Sequence, residues 1–238
     1  MILQSTDPSR ILTIFIPQLI VASIFLFIAV KLLIRNRSRP ILTLSAFYLI
    51  TASGLIFNAI FIIIAAFIPD NVLLIQILYF FTFYSMLFSP ILILTFIISI
   101  LKLEYVFTLK KQLIITLIYG IVNCLIVFIP NGISFTEQWR PIYSWLFFMC
   151  IYIFFTGGIV IPTLIYSKRL IKTFQDKILK KKLVTFIIGV FGMFLILYGA
   201  VLYITWQDTF FRSLWVVITF FLMITSAIFI YYGIGREL

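Results

Sequence analysis

The sequence contains no histidine, only two cysteines and only seven acidic residues in 238 positions. The absence of histidine excludes His-ligated haem, the HExxH zinc site, di-iron membrane oxygenases and every Ser–His catalytic arrangement. The two cysteines, Cys124 and Cys150, are too few for a disulfide framework, and we expect both to pack as small apolar side chains. We therefore expect no catalytic residue, no cofactor and no metal ion, so the chain is not predicted to be an enzyme.

Charged residues are equally scarce at 11% of the chain, whereas hydrophobic residues reach 64% and include 28 phenylalanines. A soluble domain of this length has too little interior to hide so much apolar surface. A membrane β-barrel would need strands of ~10 residues that alternate in polarity. The apolar stretches are instead continuous, and each is near or above the ~20 residues that cross a bilayer as a helix. They cover 11–33, 41–68, 72–101, 112–130, 142–166, 183–205 and 214–234. The sequence predicts an all-α membrane protein, a single domain over 1–238 built as a seven-transmembrane helix bundle.

The connections between successive spans alternate between the two sides of the membrane, and the basic residues are distributed unevenly between these sides. Fifteen of the eighteen lie on one side, namely Lys31 at the edge of the first span and fourteen others in the first, third and fifth connections and the tail. Only Arg10, Arg140 and Arg212 lie on the other side. Because basic residues are retained in the cytoplasm, we expect an outside N-terminus, a cytoplasmic C-terminus and a multi-pass location in the cell membrane. The positive side is then expected to contact anionic lipid headgroups, and this accounts for the net charge of +11 without nucleic acid.

Polar side chains within the spans are few, and apart from Lys31 at the inner edge of the first span, the spans contain no acidic or basic residue. Each amide or phenol there is expected to face the bundle interior, where it either bonds to a neighbouring helix or lines a site for a small ligand. Six of them, counted from the outer ends of five helices, fall in the outer half of the membrane. These predicted ligand-binding residues are Gln18, Asn58, Gln76, Asn123, Tyr198 and Tyr203.

The fifth connection combines basic residues with apolar residues at helical spacing. This amphipathic pattern predicts that span five continues as a helix beyond the membrane core. Gly157 and Gly158, followed by Pro162, make the inner half of span five the helix that is expected to move most easily. We interpret the basic residues beyond it as a binding surface for a cytoplasmic protein: Lys168, Arg169, Lys172, Lys177, Lys180, Lys181 and Lys182.

Four stretches carry a resemblance to a known family. They are the basic run RNRSRP at 35–40, span three from Gln76 to Lys102, the run from Tyr166 through KRLIKTFQDKILKKK, and the ending SAIFIYYGIGREL at 226–238. In these the chain resembles the seven-helix membrane sensor region at the N-terminus of many prokaryotic histidine kinases. Such regions precede a kinase, but these 238 residues hold no phosphoacceptor histidine and no ATP-binding domain. The resemblance implies a sensor module that signals through a partner.

Three functions remain open at the level of sequence. The first is a non-catalytic, receptor-like sensor that passes a stimulus from an unknown small ligand to a cytoplasmic signalling protein. The second is a transporter or lipid-handling protein with a polar path through Asn58 and Asn123, although inverted repeats and buried charges are missing. The third is a structural subunit whose polar residues face other chains. G-protein-coupled receptors share the topology, but LKLEYV stands where their Asp-Arg-Tyr motif ends span three.

Overall fold

A computed structural model describes residues 15–35, 37–101 and 108–235 of the chain. Seven helices in this part are long and apolar enough to cross a membrane, as the sequence predicts. They are α1 (Ile16–Arg35), α2 (Arg39–Phe67), α3 (Val72–Ile100), α4 (Leu109–Ile126), α5 (Trp145–Thr173), α6 (Lys177–Thr205) and α7 (Thr209–Ile230). Residues 11–14 of the first predicted span, together with Arg10, Lys102 and Arg236, lie outside the described residues.

Side-chain caps fix where several of these helices begin. Asn71 accepts a hydrogen bond from the Leu74 amide at the start of α3, and Ser144 accepts one from Phe147 at the start of α5. Asp176 and Asp208 cap α6 and α7 in the same way. These side chains satisfy amides that have no partner within the helix.

The last three helices are longer than their apolar stretches. Helix α5 continues to Thr173 instead of 166, α6 begins at Lys177 instead of 183, and α7 begins at Thr209 instead of 214. Hydropathy marks only the apolar part of a helix, whereas capping groups and good helix formers such as Lys carry it further. The prediction that span five continues as a helix is confirmed, and the fifth connection shrinks to residues 174–176.

A short antiparallel hairpin lies between α4 and α5, and the sequence reasoning did not predict it. Strand β1 (Ile133–Phe135) pairs with β2 (Pro141–Tyr143), with Ser134 opposite Ile142. The predicted spans 112–130 and 142–166 therefore extend too far, because α4 ends at Ile126 and 142–143 belong to β2. Asn131, with a φ of 55°, makes the turn that leads into β1.

Helix α3 lies at the centre of the bundle, packed against α2, α4, α5 and α6, and α1 packs against both α2 and α7. The bundle has two distinct ends. At the hairpin end, α2, α4 and α6 finish beside β1 and β2. At the basic end, α1, α3, α5 and α7 finish beside the starts of α2, α4 and α6, so the ring of Phe96 contacts that of Phe186.

Close packing of α6 on α7 depends on three glycines of α6: Gly189, Gly192 and Gly199. A Cβ on Gly189 would stand 2.7 Å from the Ser226 carbonyl oxygen, and one on Gly199 would fall within the ring of Trp215. Small residues let membrane helices approach in this way, which replaces the hydrophobic force that lipid does not supply.

Candidate functional site

The hairpin closes one end of the bundle through a pair of buried tyrosines. The Tyr79 and Tyr143 hydroxyls lie 2.5 Å apart and share a hydrogen bond between α3 and β2. Both residues are buried, at 6% and 4% exposure. Burial raises the pKa of the Tyr143 phenol well above its usual value, and the hydrogen bond from Tyr79 opposes this rise only in part. The pair is therefore neutral and joins the hairpin to the central helix.

Aromatic rings surround this tyrosine pair. Phe61 of α2 and Phe135 of β1 both contact the Tyr79 ring, at centroid distances of 5.3 and 5.2 Å. Phe147, which is fully buried in the first turn of α5, contacts the rings of Tyr143 and Phe83. Such tilted and edge-to-face pairs add to the stability that burial alone provides. We call this set, Phe61, Tyr79, Phe83, Phe135, Tyr143 and Phe147, the aromatic cap.

A glycine permits the hairpin to lie this close to α5. A Cβ on Gly132 would stand 2.6 Å from the Phe147 ring, and the Gly132 carbonyl accepts a hydrogen bond from the Ser144 amide. The stretch Pro130-Asn131-Gly132 is the sequence signal that predicts a turn here. The short strands lie between two long apolar spans, so hydropathy alone does not separate them from those spans.

An open cleft lies between the aromatic cap and the end of α4. Its empty volume, including its mouth, is about 480 Å³. The seven described residues that line the cleft carry no charge: Gln76, Tyr79, Phe80, Phe83, Val127, Ile133 and Phe135.

Gln76 is the one predicted ligand-binding residue that lines this cleft. Its side chain is exposed, on α3 one turn before Tyr79. An amide both donates and accepts hydrogen bonds, so it can orient a polar head while the aromatic rings hold an apolar body. The cleft therefore suits a small, neutral, amphipathic molecule.

The other predicted ligand-binding residues lie in separate places. Asn58 donates to the Gln18 side-chain oxygen at 2.9 Å, which joins α2 to α1. Asn123 is fully buried and donates to the Tyr84 carbonyl oxygen at 3.1 Å, which joins α4 to α3. These contacts are hydrogen bonds between helices, one of the two roles that the sequence left open.

Tyr198 and Tyr203 both lie on α6 but have different neighbours. The Tyr198 hydroxyl shares a hydrogen bond with Thr156 of α5, and its ring contacts those of Tyr152 and Phe155. The Tyr203 ring lies under the Arg212 guanidinium at 4.6 Å. The structure thus brings Gln18 and Asn58 together and leaves Gln76, Asn123, Tyr198 and Tyr203 in four separate places.

Helix α5 changes its winding where the sequence predicts the softest segment. Residues Thr156–Val160 form a π-helical turn that contains Gly157 and Gly158. A Cβ on Gly157 would meet nothing within 4 Å, whereas one on Gly158 would stand 3.5 Å from the Tyr119 ring, so the turn is open on its Gly157 side. Turns of this kind inside α-helices are frequent at functional sites.

The predicted partner-binding residues occupy the two arms of one bend at the basic end. Lys168, Arg169 and Lys172 lie on the last turns of α5, and the remaining four lie on the first turns of α6. Six of the seven are exposed, and Lys182 is half-buried. Leu170 is fully buried and Phe174 packs against the core, so the bend is attached to the bundle by its apolar side. We call residues 168–182 the basic elbow.

Comparison with known proteins gives no support for a family assignment. No protein-family model matches the chain, and no curated protein or solved structure is significantly similar to it.

Proposed function

We propose that the protein is a non-catalytic membrane sensor that binds a small amphipathic molecule in the cleft and signals through the basic elbow. The observation that carries this proposal is the course of α5. Its first turn contributes Phe147 to the aromatic cap, its middle contains the π-helical turn, and its last turns form one arm of the elbow. One helix therefore connects the ligand site to the output surface.

The basic end faces the cytoplasm in this proposal. Among the described residues, the hairpin end carries only Arg140 and Arg212, whereas the elbow alone carries seven basic residues. Basic residues near membrane spans are retained on the cytoplasmic side. The cleft then opens at the outer surface, and the elbow presents its exposed cations to an acidic surface on a cytoplasmic protein.

Ligand binding is tested with three probes of equal chain length: decanamide, decylamine and decanoate. The purified protein in nanodiscs is heated with each probe, because a ligand of the folded state raises the unfolding temperature. We expect decanamide to stabilise the protein most, since the lining residues are uncharged, and Gln76→Leu to remove that advantage. Ser213→Ala, on the exposed side of α7, is the control. Equal shifts for all three probes, unchanged in Gln76→Leu, would contradict the proposed site.

Signal output is tested with a fluorophore on Gln175→Cys in a Cys124→Ala, Cys150→Ala background. We expect decanamide to shift the emission of this label in the elbow, and a label on Ser134→Cys to report the cleft directly. Binding without any change at position 175 would leave a ligand site and remove the signalling route.

Partner binding is tested separately. Lys180→Gln, Lys181→Gln and Lys182→Gln together should abolish capture of the cytoplasmic partner while membrane insertion remains intact.

A further inference from the structure

Lys31 is the only charged residue within the seven predicted apolar spans. It lies on α1, four residues or ~6 Å before the helix ends at Arg35. A charged side chain at the edge of the hydrocarbon core is costly, and pairing with an opposite charge offsets that cost. The partner of Lys31 therefore identifies what this part of the bundle binds.

Two aromatic rings hold the Lys31 ammonium. It lies 5.6 Å from the ring centroid of Phe27, one turn back along α1, and 5.4 Å from that of Tyr231 at the end of α7. Both distances are those of cation–π contacts. The ammonium is thus directed back along the membrane span, which is the usual direction of side chains on a helix.

Packed backbone fixes the position of the Tyr231 ring. Residues Tyr231–Gly235 form a second π-helical turn, which continues α7. A Cβ on Gly233 would stand 2.6 Å from the Phe186 amide nitrogen, so this turn lies directly against α6. One turn before Tyr231, the Ala227 carbonyl accepts a hydrogen bond from the buried Tyr48 hydroxyl of α2. Helices α2 and α6 therefore hold in place the ring against which Lys31 lies.

No carboxylate among the described residues pairs with this cation. The Lys31 side chain is exposed, and its contacts there are the two rings. The acidic residues of the described part lie elsewhere: Asp70, Glu137 and Asp208 at the hairpin end, and Asp176 at the start of α6. An ammonium has three N–H donors and the rings offer no oxygen atom to them. The missing acceptor must therefore come from outside the described bundle.

We infer that Lys31 binds the phosphate of an anionic phospholipid between α1 and the end of α7. The basic end of the bundle attracts anionic headgroups, and Arg35 adds a second positive charge one turn beyond Lys31. Ile20 and Phe27, on the same face of α1, are exposed and offer apolar surface to an acyl chain. A zwitterionic lipid carries its own cation near the phosphate, so an anionic lipid gains more from the site. The inference does not depend on the proposed function.

The first test measures lipid retention by native mass spectrometry. The protein in detergent is mixed with equal amounts of phosphatidylglycerol and phosphatidylcholine. We expect one phosphatidylglycerol molecule to remain bound in preference to phosphatidylcholine. Lys31→Gln should lower its apparent affinity about tenfold, because a hydrogen bond to a charged group is lost. Lys31→Arg keeps the cation and should keep the lipid.

Lys110→Gln is the matched control, because it removes the same charge from an exposed position at the start of α4. Equal losses of lipid in Lys110→Gln and Lys31→Gln would mean that net charge alone attracts the headgroups, and would overturn the inference. Loss of the lipid in Lys31→Arg would also overturn it, since that variant retains the charge that the phosphate requires. Excess inorganic phosphate should not displace the lipid, and displacement would show a site for a free anion instead.

The second test removes one ring and leaves every charge in place, so it remains decisive if Lys31→Gln fails to fold. Tyr231→Leu takes away the contact that holds the ammonium beside α7, and we expect about threefold weaker retention of phosphatidylglycerol. Tyr166→Leu, which removes the ring that lies beneath Arg169, is the matched control and should retain the lipid as the parent does. Equal retention by Tyr231→Leu and the parent would overturn the placement of the lipid between α1 and α7.

Discussion

The two ends of the bundle are built from different kinds of side chain. At the hairpin end, the aromatic cap packs rings from α2, α3, α5 and both strands around a buried tyrosine pair. At the basic end, the elbow exposes six cations and reaches the core through Leu170 and Phe174. Arg39 of α2 also donates to the Gln112 side chain of α4 there, at 2.6 Å.

The hairpin end is therefore the rigid end of the bundle, and the basic end is the accessible one. Close-packed rings resist small displacements, because a change of even one methylene group is felt in a dense core. Exposed lysines make few fixed contacts and can rearrange around a partner. In the proposed function, a stimulus at the hairpin end would reach α5 through the packed Phe147 ring, and the inner part of α5, beyond the π-helical turn, would carry it to the elbow.

The largest effect is expected from Phe147→Ala. This side chain is fully buried between Phe83 and Tyr143, so its removal leaves a cavity and should cost about 3–5 kcal/mol of unfolding free energy. Reversible unfolding in mixed micelles measures the change. Phe210→Ala removes a ring that is 76% exposed and is the matched control. Equal losses in the two variants would mean that the aromatic cap is not a packed core.

A smaller loss is expected at the basic end from Gln112→Leu. The substitution leaves the Arg39 guanidinium without this acceptor, and hydrogen bonds to charged groups contribute about 1.5–3 kcal/mol. The same unfolding assay measures it, with the exposed Leu113→Ala as the control on the same helix. A loss as large as that of Phe147→Ala would remove the contrast between the two ends.

Tyr143→Phe should cost about 0.5–1.5 kcal/mol at neutral pH, because it removes one hydrogen bond and keeps the ring. It should also change the dependence on pH. Because the folded-state pKa of Tyr143 is raised, its stabilising contribution is complete below the unfolded pKa of about 10 and is lost as pH rises above that value. We expect the variant to lose less stability than the parent between neutral and strongly alkaline pH. If the unfolding free energies of the variant and the parent fall in parallel as pH rises, Tyr143 does not titrate in this way.

The number and order of helices could be predicted because each rests on a long apolar run. The hairpin could not be predicted in the same way, since its two strands have three residues each and only Pro130, Asn131 and Gly132 mark the turn that leads into β1. Hydropathy cannot detect so short an element between two spans.

The candidate site was harder to predict than the fold. Depth along a helix could be counted, and it selected Gln76, but depth does not give the direction in which a side chain points. Asn58 and Asn123 lie at suitable depths and bond to neighbouring helices instead. The cleft depends on Phe135 and Ile133, which only the fold of the hairpin brings beside α3.

The smallest effect is expected from Lys180→Gln combined with Lys181→Gln. Both side chains are exposed on the first turns of α6, and exposed substitutions away from caps and cores change stability little. Unfolding should therefore be unchanged within error, even though removal of these charges is expected to weaken partner binding. If the double variant unfolds much more readily, the two lysines stabilise the fold and the elbow is not a free output surface. Unchanged unfolding together with lost binding would separate the two ends as proposed, because packing would then reside at the hairpin end and recognition at the basic end.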